Sequence, residues 1–218
     1  MFVGHFAVAL AAKRASPRLS LPLLFTAVQF ADILWPIFIL VGVEHSRIVP
    51  GLMPASVLDL YDFPYSHSLV MSLVWSLAWG AWFFAKGRVR DGLIVAGCVF
   101  SHFLLDVATH RPDMQLAPGS DVRWGLGLWN SVPLTVIVES LLFAGGLYVY
   151  VRGTRATGRM GTIGLAALAV VLVGTWLSGM FGPPPPGIQV VAVSILVMIP
   201  IILLWAWRID RARVSNTK

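Results

Sequence analysis

Charge is scarce in this sequence. Of its 218 residues only 12% are Asp, Glu, Lys or Arg, while 57% are apolar and the mean hydropathy is +0.80. A soluble domain carries about twice that charge, so a water-exposed fold would present a mostly apolar surface, which water does not tolerate. The same apolar content excludes a disordered chain. Cysteine is nearly missing. Cys98 stands alone, which excludes an internal disulfide, a secreted disulfide scaffold and a cysteine-based zinc knuckle. Acidic residues are outnumbered by Lys and Arg, 10 against 16, for a net charge of +6. In a membrane chain such an excess sets orientation, so no nucleic-acid partner is inferred. Histidine stops at His110, and residues 160–207 contain no Asp, Glu, Lys, Arg or His. No internal repeat or domain boundary is visible. The chain reads as one membrane domain over 1–218, with polar positions confined to 1–151 and an apolar scaffold at 160–207.

What is abundant is long apolar runs. About 20 residues cross the hydrocarbon, and candidate spans fall at 20–43, 68–85, 92–109, 132–151, 161–181 and 188–207, with a shorter stretch at 2–12. The expected fold class is all-α, a polytopic membrane helix bundle of six to seven transmembrane segments. The amino-terminal stretch lacks a basic flank and a small-residue cleavage site, so no removable signal peptide is expected. Lys13, Arg14, Arg18, Lys86, Arg88, Arg90, Arg152, Arg155, Arg159, Arg208, Arg211, Arg213 and Lys218 are 13 of the 16 basic residues and fall on one face. The positive-inside tendency makes that face cytoplasmic, with the carboxyl terminus inside. The opposite connections, 44–67 and 110–131, are long for a compact bundle, and such loops tend to be functional. Gly145, Gly146, Gly161 and Gly164 are expected to permit close helix approach.

Ionisable residues within a bilayer are costly and mark sites or pathways. Here they are few and one-sided: His5, Asp32, His102, Asp106 and Glu139 inside segments, with His67 and His110 at outer ends. His102, Asp106 and His110 recur every four residues and share one helix face. Imidazole nitrogen and carboxylate oxygen suit zinc, although a His–Asp pair at this spacing also describes a hydrogen-bonded couple joining two helices. Clustering with His5, Asp32, His67 and Glu139 would satisfy each buried charge, and a divalent cation would offset several carboxylates together. Pro36 is expected to free the carbonyl of Asp32 and bend the helix there. Ser66 is a plausible cap for the third helix.

The opening Gly4-His5, the Asp32 helix, Ser66-His67-Ser68 and the Ser101-His102, Asp106, His110 block resemble the YdjM-like family of membrane-bound metal-dependent hydrolases. Their order is also similar to that of the zinc-dependent phospholipase C superfamily. The resemblance covers roughly residues 1–140 and leaves the last two helices outside it. It implies a first metal held by Asp32, His67, His102 and Asp106, and a neighbouring one at His5 and Asp106, with Asp106 bridging. His110 and Glu139 are implied for a further position. The phospholipase pattern also uses a processed amino terminus, of which Met1 gives no sign, and an HxxxE block that the absence of later histidines excludes. One or two ions, zinc by preference, are therefore expected. A bacterial inner membrane is the location the resemblance suggests.

The function expected on these grounds is metal-assisted hydrolysis of a phosphoester, lipid-linked or otherwise, from the extracytoplasmic side. Glu139 or Asp62 is a candidate general base. Arg111 and Arg123 are candidates to grip phosphate, and Tyr65, Trp124 and Trp129 are expected at the interface. An ion-coupled transporter using the intramembrane Asp, Glu and His is the rival reading, and a non-catalytic bundle tied by polar contacts is a third.

Overall fold

The computed structural model describes residues 1–216, and Lys218 lies outside them. Helix α1 (Val3–Ala15) ends with Lys13 and Arg14 in its last turn, where cations complement the negative end of the helix dipole. Helix α2 (Leu21–Val28) starts at Ser20, whose side chain accepts from Leu23 N, with Pro22 in the first turn. Helix α3 (Phe30–Leu40) follows after a break at Gln29, and the pair is bent by 56°. A hairpin of β1 (His45–Met53) and β2 (Ser56–Asp62) leads to the single turn α4 (Pro64–His67). Helix α5 (Leu69–Phe84) is capped by Ser68, which accepts from Met71 N. Ser66, the expected cap, is instead engaged with Glu44 and His67.

Helix α6 (Val89–Thr109) carries the HxxxD face. Beyond it lie the short strands β3 (Met114–Gln115) and β4 (Arg123–Trp124) and a 3₁₀ turn at 128–130. Helix α7 (Val132–Gly153) is capped by Ser131 and followed by β5 (Thr154–Ala156). A π-helical turn at 160–164 leads into α8 (Leu165–Phe181), then come α9 (Ile188–Arg211) and β6 (Arg213–Ser215).

The chain is a mostly helical membrane protein. Four helices are long and apolar enough to cross a bilayer: α6, α7, the continuous stretch 160–181 and α9. The bent α2–α3 pair makes a fifth if it counts as one broken span. Helix α5, with 16 residues, and α1, with 13, are shorter; at ~1.5 Å per residue neither alone reaches across ~30 Å of hydrocarbon. By length and composition, four to five spans are counted among the described residues. Outward faces are apolar throughout, as at Leu77, Leu141 and Val170, each more than 60% exposed. Such a surface suits lipid and not water.

The helix directions gather the basic residues at one end. There Lys13 pairs with Asp210 at 2.7 Å, Arg90 donates to the carbonyl of Ala15 at 2.8 Å, and Ser16 donates to Asp91. Strands β5 and β6 pair antiparallel at the same end. The two long connections fold over the other end. Helix α1 packs on α7, α5 on α6, and α3 on α9. Gly146 makes the first of these possible, since a Cβ there would sit 2.4 Å from the carbonyl oxygen of Ala7. Gly161 is likewise closed in by the backbone of Ala212, whereas Gly145 faces open space.

Candidate metal centre

Four chain segments deliver the polar cluster. Helix α6 presents His102 and Asp106 one turn apart on its buried face. Helix α3 brings Asp32 in its first turn, the end of α4 brings His67, and α1 brings His5. Asp32 keeps some exposure; the other four are almost wholly buried.

The distances define a tight donor set. His102 Nε2 lies 3.0 Å from Asp106 Oδ2, 3.3 Å from His67 Nε2 and 3.8 Å from Asp32 Oδ1. His67 Nε2 lies 3.6 Å from Asp32 Oδ1 and 3.8 Å from Asp106 Oδ2. Donors bound to one cation at about 2.0–2.1 Å stand about 3.4 Å from one another, and the spacings made by His67 and His102 straddle that value.

The tautomers follow from what the other ring nitrogens touch. His102 Nδ1 is 2.7 Å from the carbonyl oxygen of Val28, which can only accept, so Nδ1 carries a proton. The break at Gln29 is what leaves the carbonyls ending α2 free for such a donor. Ser66 Oγ donates its single proton to Glu44 Oε2 at 2.6 Å and so accepts from His67 Nδ1 at 2.7 Å. Glu44 is held in turn by the backbone N–H groups of Tyr65 and Ser66, both at 2.8 Å. In the neutral rings the two Nε2 lone pairs face each other at 3.3 Å, with two carboxylates alongside. Without a cation or added protons these groups repel in a low-dielectric interior. Orientation of a ligating histidine through its second nitrogen is the usual support of a metal site. The set fits a divalent cation.

A second grouping shares two of these residues. Donor atoms of His5, His102 and Asp106 lie within 4.8 Å of one another, as do those of Asp32, His67 and His102. The His5 ring stacks on His102 with centroids 3.8 Å apart and planes 3° apart. Asp106 Oδ1 meets His5 Nε2 at 3.1 Å and the nitrogen of Met1 at 2.5 Å, while Oδ2 faces the first set. Its two oxygens are divided between the two groupings, and Oδ1 also pairs with the Met1 ammonium.

The remaining expected residues divide. His110 caps α6, bonds Asp113 Oδ1 at 3.0 Å and lies against Trp129, with Nε2 4.0 Å from Asp106. It borders the cluster without joining either triad. Glu139 Oε2 accepts from the N–H of Phe2 at 2.9 Å at the start of α1, where a carboxylate complements the positive helix end. Its Oε1 is buried with no hydrogen-bond partner among the described residues. Asp62 is not at the site. The hairpin register sets it beside His45, 2.8 Å away and well exposed. Arg111 is held by Asp59 and Asp113, and Arg123 donates to the carbonyl of Tyr61 at 3.1 Å. Neither lines the cavity beside the cluster. The sequence reading missed Glu44, Asp113, Gln29 and the Val28 carbonyl. Only Asp113, three residues beyond His110, carried a local signal.

That cavity has a volume of about 480 Å³. Asp32, His67, Asp106, His110 and Glu139 line one part of it, and Trp35, Trp129 and residues of α8 and α9 line the rest. Toward the basic end the core is apolar, with Phe6, Leu10, Leu24, Phe25, Val95 and Val99 buried together. No family model, curated protein or solved structure matches this chain.

Proposed function

We propose that the protein is a membrane-embedded metal-dependent hydrolase that cleaves a phosphoester from the extracytoplasmic side. One observation carries the reading: the imidazole nitrogens of His67 and His102 converge with carboxylate oxygens of Asp32 and Asp106 beside a cavity, within 3.0–3.8 Å of one another for each histidine contact. Zinc suits this nitrogen and oxygen donor set. When bound, such an ion supplies Lewis acidity toward a phosphoryl oxygen and makes a nearby water more acidic.

The chain's own residues account for the rest. Glu139 Oε1, buried and unpartnered at the cavity wall, is the proton acceptor for the attacking water. His110, steadied by Asp113, is the group available to protonate the leaving oxygen. Phe63 and Trp129 flank His110 and keep bulk water from the reacting centre. The likeness of the ligand order to the YdjM-like family agrees with this assignment. The positive-inside tendency supports a cytoplasmic basic end, the family resemblance supports a bacterial inner membrane, and with α1 and α5 also inserted the segments number six to seven. The buried apolar core between the cluster and the basic end favours hydrolysis over transport, because an ion path would need polar positions on both sides.

The test is metal content and turnover of bis(4-nitrophenyl) phosphate by protein purified without chelators. Bound metal in stoichiometric amount, lost together with turnover in His102→Ala and Asp106→Asn, is the expected result. Metal-free protein, or turnover untouched by both substitutions, contradicts the reading.

A further inference from the structure

The cavity does not end at the polar cluster. It continues between α8 and α9, where Trp176, Gly179 and Met180 of the first helix face Val191, Ile195 and Met198 of the second. The spacings are i, i+3, i+4 and i, i+4, i+7, so each helix contributes one stripe. These two helices were expected to serve only as scaffold, and residues 160–207 carry no ionisable side chain. Both belong to the spans that face lipid, with Val170, Phe181 and Val197 exposed on their outer sides. A cleft between them therefore borders hydrocarbon, and hydrocarbon is the chemistry that fills it. The whole cavity, at about 480 Å³, falls within the range of roughly 300–1,000 Å³ usual for pockets that enclose a small ligand. The polar part still lacks donors: Gln29 Oε1 and Glu139 Oε1 are buried acceptors without partners among the described residues, and both residues line the cavity, where the attacking water would donate to them.

We infer that the substrate is an amphiphile whose hydrocarbon chain lies between α8 and α9, reaching the centre sideways from the bilayer. Its phosphoester would be drawn to the cation that Asp32, His67 and Asp106 would hold, since the carboxylates alone would repel it. The chain placement rests on the hydrolase reading above for the identity of the headgroup, and on the α8–α9 cleft alone for the tail.

The experiment compares methyl 4-nitrophenyl phosphate with dodecyl 4-nitrophenyl phosphate, using full-length protein in lipid nanodiscs. Wild-type protein should prefer the dodecyl ester in kcat/KM by about tenfold or more, because several methylenes leave water on binding. Ile195→Trp and Val191→Phe fill the cleft and should abolish that preference while leaving methyl-ester turnover within about twofold. Turnover of the methyl ester reports that the variants are folded. A wild-type protein indifferent to chain length, or variants that lower both esters equally, overturns the inference. If neither ester is cleaved, the hydrolase reading fails, and the chain placement is then decided by binding of dodecylphosphonate against methylphosphonate. Tighter dodecylphosphonate binding that weakens in Ile195→Trp upholds it, and equal binding of the two overturns it.

Discussion

Ser66 and Ser68 stand two residues apart, and substituting each by alanine should have opposite consequences. Ser66 Oγ bridges Glu44 Oε2 and His67 Nδ1 at 2.6 and 2.7 Å. In Ser66→Ala the Nδ1 proton loses its acceptor and the ring is free to adopt the other tautomer, which turns a proton rather than a lone pair toward the cluster. A buried group left unpaired costs about 1–3 kcal/mol, and loss of such an outer partner typically lowers metal affinity about 10–100-fold. The fold should survive, because Glu44 keeps two backbone donors. Ser68 caps α5 through a 3.3 Å contact with Met71 N. Ser68→Ala should cost about 1 kcal/mol of stability and leave metal affinity unchanged. Competition of zinc between protein and a chromophoric chelator, with thermal unfolding in parallel, measures both effects. Equal weakening of zinc binding by both substitutions, or none by Ser66→Ala, would refute the tautomer assignment.

Other expectations are local. Gly146→Ala places a Cβ 2.4 Å from the Ala7 carbonyl and should destabilise the α1–α7 contact by about 1–3 kcal/mol, whereas Gly145→Ala, facing open space, should be neutral or stabilise the helix by about 0.5–1 kcal/mol; thermal unfolding separates the two. Asp62→Asn removes an exposed pair with His45 and should change stability by about 0–1 kcal/mol, with metal content and turnover intact. Glu139→Gln should keep bound metal while cutting bis(4-nitrophenyl) phosphate turnover about 10²–10⁴-fold; loss of the metal instead would make Glu139 a ligand rather than a base.

The sequence revealed the parts of the site that one helix can encode. His102 and Asp106 share a face because four residues make about one turn, and their scarcity in an apolar chain marked them as partners for Asp32, His67 and His5. What it could not reveal depends on chain reversals. Glu44 reaches Ser66, and through it His67, only because the hairpin folds back onto α4, a separation of 22 residues between Glu44 and Ser66. The same hairpin turns Asp62 outward, and the ion pair with Asp59 draws Arg111 away from the cavity. Pro36 drew attention as the bend, yet it lies within α3 and the sharp break occurs at Gln29. At that position the freed end of α2 offers Val28's carbonyl to His102, a contact 74 residues apart that no local pattern encodes. Length separates four to five spans from the shorter apolar helices α5 and α1, of 16 and 13 residues, which composition alone does not distinguish from spans.

Zinc-edge X-ray absorption on the zinc-loaded protein tests the central claim most directly. A shell of nitrogen and oxygen donors at about 2.0–2.2 Å, with imidazole scattering that diminishes in His102→Ala, is the predicted spectrum. Protein that binds no zinc, or a spectrum unchanged by removal of His102, would contradict it.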